Sequence, residues 1–304
     1  MMTIRARFSK VQRLRAAVAT ALALFGLALP AAATNGTVNL FYERSVLTAA
    51  NARCGLFDSP IGSALAAARA QARGAAMRGG TDRATLMEVE RRAQSKAATA
   101  ACDSADLALV AGRVRTAFEG YSRLIKMDYP GDISAWKADR SSSVAGVRWR
   151  LSQTSRVDHG QMVFGLAGRT GANVLLAMAN FPKGDAPYGA RLVLRNIDLT
   201  LGPYLDDRGQ ALDKLSLDRR LPPVTAQMAY SAEARSLAGL DLMPKTMTSG
   251  WAFRFPAEAA QALTQLDPRE AVVVEFLFAD DKTRRAYIEV GDFAAGRAFL
   301  QVSS

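Results

Sequence analysis

The sequence predicts an α+β fold: an N-terminal antiparallel helical bundle followed by an antiparallel β-sandwich-like domain with a C-terminal helix. Three observations predict it. Residues 41 to about 128 are rich in Ala, Arg, Leu and Glu, with apolar positions three and four apart, the period of amphipathic helices. Beyond residue 146 the apolar period falls to two, the period of strands. Between these halves, residues 129–146 hold Pro130-Gly131 and a serine run, the composition of a boundary. Residues 1–33 read as a signal peptide, 34–128 as a helical domain, 129–146 as a linker and 147–304 as a β-rich domain.

The chain opens on five basic residues (Arg5, Arg7, Lys10, Arg13, Arg15) without an acidic one. An apolar run follows from Ala16 to about Leu29, and Pro30 then breaks it before Ala31-Ala32-Ala33. Charged, apolar and small residues in that order are the signature of a secretory signal. The run is shorter than the ~20 residues a membrane-spanning helix needs. Cleavage after Ala33 is expected, which places the mature chain in the periplasm or outside the cell with no membrane span.

The first helix is expected from Phe41 to about Arg53. Asp58-Ser59-Pro60 caps a second, with Ile61, Leu65, Ala68, Ala72 and Ala75 on one face, and Gly79-Gly80 ends it. Thr81 is expected to cap the third, whose stripe is Leu86, Val89, Ala93 and Ala97. Asp103-Ser104 begins the fourth, with Leu107, Val110, Val114, Phe118 and Tyr121 on its apolar face. Short turns between four such helices imply an antiparallel bundle.

In the second half, Val147, Trp149 and Leu151 alternate with Arg148, Arg150 and Ser152, so the arginines are expected on a solvent face. Further strands are expected at 161–166, 173–178, 191–197, 251–255, 271–278 and 284–290, the last two as a hairpin. Pro256–Leu266 and Asp292–Leu300 read as short helices, the second packing Phe293 and Phe299 on the sheet. The stretch 199–249 reads as a long loop with short elements. The ending Ala286–Leu300 resembles the last strand and helix of periplasmic invasion-associated β-sandwich proteins, a likeness confined to the end of the chain from which no function is carried over.

Composition narrows the chemistry. The formal net charge is +11, and the first 33 residues contribute five positive charges, which leaves +6 on the mature chain. Those charges are dispersed rather than gathered in a basic run with interleaved aromatics, which argues against nucleic acid. They leave attraction to an anionic envelope polymer, or an envelope protein, as the partner expectation. Two cysteines, Cys54 and Cys102, lie 48 residues apart. In an oxidising compartment such a pair forms a disulfide, here tying the end of the first helix to the end of the third. The alternatives are a metal pair or a reactive thiol, and no histidine lies near enough to complete a metal set.

His159 is the single histidine, so any Ser-His-Asp or Cys-His arrangement has to use it. It stands in Asp158-His159-Gly160, where Asp158 invites reading as an orienting carboxylate, but this is also ordinary hairpin-turn composition. Glu275 interrupts Val272-Val273-Val274 and Phe276-Leu277-Phe278 and is the best placed acid for carboxylate chemistry. Its structural reading is a cross-strand partner of Arg284 or Arg285. Other acid pairs are Asp206 with Asp207, Asp280 with Asp281, and Glu270 with Glu275. Asp206–Gln210 with Asp213 lacks the alternating acids and terminal Glu of a calcium loop. No nucleotide-binding glycine motif is present, and no cofactor or metal is expected. Trp136, with Tyr129, lies in a polar segment, as an anchor of the linker or as an exposed partner contact. The leading reading is a non-enzymatic interaction or binding module of the envelope. The rivals are a carboxylate-dependent hydrolase of an envelope polymer and a periplasmic small-molecule carrier, its ligand between the sheet and the 199–249 loop.

Overall fold

The computed structural model describes residues 29–142, 146–181, 185–200, 202–205, 211–279 and 281–302, with side chains from residue 36 onward. The basic stretch and apolar run of the expected export signal, through residue 28, lie outside the described residues, as do Asp206–Gln210 and Asp280.

Four helices come first: α1 (Leu29–Cys54), α2 (Ser59–Arg78), α3 (Arg83–Thr99) and α4 (Ala105–Ser122). α1 begins well before Phe41. Pro30 falls in its first turn, where a missing N–H costs nothing, and the alanines that follow are good helix formers. Asp58 and Ser104 cap α2 and α4, each accepting from the amide three residues on, at 3.1 Å from Ile61 and 3.3 Å from Leu107. α3 is capped by Asp82 and not by Thr81, because the Asp82 carboxylate reaches both the Thr85 amide, at 2.9 Å, and the Thr85 hydroxyl. Cys54 and Cys102 form the disulfide, with Cα atoms 5.5 Å apart, and so join the end of α1 to the turn after α3. Replacing both cysteines with Ser frees a 48-residue loop in the unfolded chain. The expected loss is about 2–4 kcal/mol, read as a lower midpoint in urea than the oxidised protein shows.

Eleven strands among the described residues make two antiparallel sheets. The larger has the order β1 (Lys126–Tyr129), β2 (Trp136–Asp139), β3 (Arg148–Val157), β4 (Gly160–Arg169), β5 (Ala172–Ala179), β9 (Trp251–Phe255), β8 (Ala234–Leu237). The smaller runs β11 (Thr283–Glu289), β10 (Ala271–Leu277), β6 (Gly189–Arg195), β7 (Gln227–Ser231). Their apolar faces share one core, with Phe253 and Phe276 meeting across it at 5.5 Å between ring centroids. α5 (Ala257–Leu263) and α6 (Phe293–Phe299) cover that core, and Ala64 and Ala67 of α2 join it from the helical side. The stretch 199–249 supplies β7, β8 and short 3-10 turns, including Leu217–Arg220.

Residues 126–139, of which 129–139 is the first part of the expected linker, form the β1–β2 hairpin at the sheet edge. Trp136 and Tyr129 are each 0% exposed, so neither ring offers a partner surface. Trp136 donates from Nε1 to the Val290 carbonyl at 2.9 Å and stacks edge-on to Phe293. The Tyr129 hydroxyl meets that of Tyr121 at 2.9 Å, and burial pushes its pKa up. The polar residues beside them serve a buried acid. Glu289 accepts from the consecutive amides of Asp132, Ile133 and Ser134 at 2.6, 2.9 and 2.7 Å. A side chain at Gly131 would collide with that carboxylate, so the loop closes only with glycine there.

Candidate functional site

The site begins with an irregularity in β3. Trp149 pairs with Ala167 and Leu151 pairs with Leu166, so Arg150 is the extra residue of a β-bulge. The bulge turns Leu151 into the inter-sheet core, while Trp149 packs on the opposite face of the sheet and donates to the Leu242 carbonyl at 2.8 Å. Arg150 is therefore not on a solvent face as alternation predicts. It is 3% exposed and stands in the wall of a groove of about 770 Å³.

The groove runs across one end of the larger sheet. Its walls come from the end of α4 (Arg123, Leu124, Ile125), the end of β2 (Asp139, Arg140), the β4–β5 hairpin (Leu166, Val174, Leu175), β9 (Arg254, Phe255) and the α6 region (Arg297, Val302). Five arginines line it against two carboxylates. Arg123 pairs with Glu119 outside the groove, and Arg254 faces Glu233 at 3.6 Å. The other three have no carboxylate within ion-pair distance among the described residues. Arg150 donates to the carbonyls of Asp139 and Ser141 and to the Thr170 hydroxyl, the last at 3.0 Å. Arg140 closes the end of α4 by donating to the carbonyls of Ser122 and Leu124, and it also bonds Val302 and lies 4.5 Å over the Phe299 ring. Arg297 donates to the Ala260 carbonyl and the Gln261 side chain. Burial pulls the pKa of Arg140 and Arg297 below the ordinary arginine range; around Arg140 only the two tyrosines oppose it. A guanidinium stays protonated even so, which leaves the groove positively charged.

No protein-family model, no curated protein and no solved structure matches this chain.

The residues singled out from sequence are dispersed. Glu275 lies on the outward side of β10 between Arg285 of β11, at 2.9 Å, and Arg191 of β6. Arg284 turns away to Asp158, at 3.1 Å, and Asp185. Glu270 holds Arg195 through two bonds of 2.7 and 2.9 Å, and burial pushes its pKa up against that pairing. Glu270 and Glu275 thus serve different arginines and do not form a pair. His159 and Asp158 occupy the exposed β3–β4 turn, where Asp158 has φ 48° and is engaged with Arg284 rather than His159. Asp213 is exposed in a short turn beside Lys214. Among the described residues, no group of three or more His, Cys, Asp or Glu is arranged to hold a metal ion, and no helix is long and apolar enough to cross a membrane.

Pattern reading missed Arg150 for a definite reason. Trp149, Leu151, Gln153 and Val157 keep an odd-numbered phase straight through the bulge, so alternation alone gives no sign of the inversion. Arg140, Arg254 and Arg297 are far apart in sequence and read as dispersed surface charge.

Proposed function

We propose that this chain is an exported, non-enzymatic binding module of the bacterial envelope, and that the arginine groove holds its ligand through an anionic group. Export rests on the charged, apolar and small-residue order of residues 1–33. The binding reading rests on one observation: Arg150, 3% exposed, is aimed into an open groove by a bulge and has no carboxylate partner among the described residues. Burying a cation without a counter-charge is costly, and the bulge that places it there disrupts a ladder. An anionic ligand compensates both. Bulges of this kind occur beside functional sites because they re-aim side chains.

Dextran sulfate, standing in for an anionic envelope polymer, tests the reading with the chain from residue 34 onward. Binding is expected to weaken with salt, and Arg150→Gln is expected to lower affinity about tenfold, the scale of one charge-assisted hydrogen-bonding group. Arg113→Glu, on the exposed side of α4 and outside the groove, controls for net charge. Equal losses in Arg254→Glu and Arg113→Glu, with none in a folded Arg150→Gln, would show diffuse attraction and remove the groove from the proposal.

A further inference from the structure

Resting on that reading, we infer that the groove's ligand is a single-chain anionic amphiphile, a long-chain fatty acid, with its carboxylate on Arg150 and its chain along the apolar wall. The first observation is the unused edge of Arg150. Nη1 is spent on two carbonyls and Nη2 on Thr170, while Nε has no hydrogen-bond partner among the described residues. A guanidinium edge made of Nε and Nη2 matches the two oxygens of a carboxylate.

The second observation is apolar. Leu124, Ile125 and Val174 line the same groove and stay 42%, 55% and 42% exposed. Behind them stand Leu175 and Phe255, both 2% exposed. A site for a hydrophilic anion gains nothing from three large apolar side chains held in water at its mouth, whereas an acyl chain covers them. The groove is also poor in what a sugar polymer needs. Apart from its charged residues, the polar side chains on its wall are Thr170, Asn173 and Gln301, and its one aromatic ring, Phe255, is buried rather than offered for stacking. A volume of about 770 Å³ falls within the roughly 300 to 1,000 Å³ of small-molecule clefts and cavities, and it has room for one acyl chain with its head.

The test is calorimetric titration with octanoate, dodecanoate, palmitate and hexadecanol, beside dextran sulfate. Each methylene that enters the groove should raise affinity about fourfold, so dodecanoate should bind at least a hundredfold tighter than octanoate. Hexadecanol, which has the chain without the charge, should bind at least tenfold more weakly than palmitate. Arg150→Gln should lower palmitate affinity at least tenfold. Ile125→Ser with Val174→Ser, at exposed positions that leave the core intact, should flatten the chain-length series. That double variant carries the test if Arg150→Gln fails to fold. If dextran sulfate binds through Arg150 while affinity is indifferent to chain length, the amphiphile is wrong and the anion groove stands. Tighter capture of phosphatidylglycerol vesicles than of palmitate would overturn the fatty acid in favour of a phospholipid headgroup. If no probe depends on Arg150, both readings fall.

Discussion

Replacing Glu289 with Ala should destabilise the protein by about 3–5 kcal/mol, the cost of stranding a buried charge. Glu289 and Arg220 are both 0% exposed, with Arg220 Nη1 3.3 Å from Glu289 and 3.0 Å from Asp132. The carboxylate also takes the amides of Asp132, Ile133 and Ser134. Arg220 Nε donates to the Leu215 carbonyl at 3.1 Å, and Nη2 to that of Leu212. The pair therefore clamps the 130–134 loop and the 212–220 segment onto β11. Removing the acid leaves three donors without their acceptor and Arg220 with only Asp132 to balance it. Glu289→Gln should cost less, because its side-chain oxygen still accepts from the loop. The diagnostic comparison is Arg220→Met with Glu289→Met. If the charges are coupled, the double variant should be markedly more stable than the sum of the single losses predicts, since neither charge is stranded. Urea midpoints with unchanged slopes would measure all three. Single losses below about 1 kcal/mol, or strict additivity, would show that water reaches the pair and that the clamp is weak.

Much of this architecture was readable where local chemistry and burial agree. β10 and β11 are short runs rich in β-branched and aromatic residues on either side of a polar turn, and their hairpin register follows. Asp58 and Ser104 announce their helices because a cap is a local bond three residues long. The third cap shows where locality stops: Thr81 and Asp82 are both competent, and only the geometry of the turn selects Asp82. β1 and β2 were hidden because Lys126-Met-Asp-Tyr and Trp-Lys-Ala-Asp139 are four residues each, too short to show a period. The buried ions were hidden for a deeper reason. Charged residues default to the surface. Arg220 and Glu289 lie 69 positions apart, and nothing local marks either as the other's partner. The groove combines both difficulties: a bulge that preserves sequence phase, and arginines gathered from β2, β3, β9 and α6.

Trp136→Ala should cost about 3–5 kcal/mol, the range for truncating a buried aromatic to Ala, and its effect should extend to the groove it does not touch. The ring is 0% exposed, with its centroid 5.0 Å from Phe293 and 6.2 Å from Phe164, and its Nε1 holds the Val290 carbonyl. A two-stranded hairpin has little stability of its own. β1–β2 is held by its ladder to β3, by Tyr129 against Phe299, and by this indole. Asp139 at the end of β2 and Arg140 just after it are groove wall, and the Asp139 carbonyl is an acceptor for Arg150. Loosening the hairpin therefore frees Arg140 from the end of α4 and removes one of the contacts that aims Arg150. Trp136→Phe keeps most of the volume and removes one of the two donors to the Val290 carbonyl, leaving the Phe293 amide at 3.2 Å, so it should fall between wild type and Ala. Hydrogen exchange separates two mechanisms. Faster exchange confined to residues 126–139, together with weaker Arg150-dependent binding, would mean that the hairpin opens locally and that the groove depends on it. Uniformly faster exchange with binding intact at low temperature would mean that Trp136 contributes only to the common core, and that Arg150 is held by β3 and the β4–β5 turn alone.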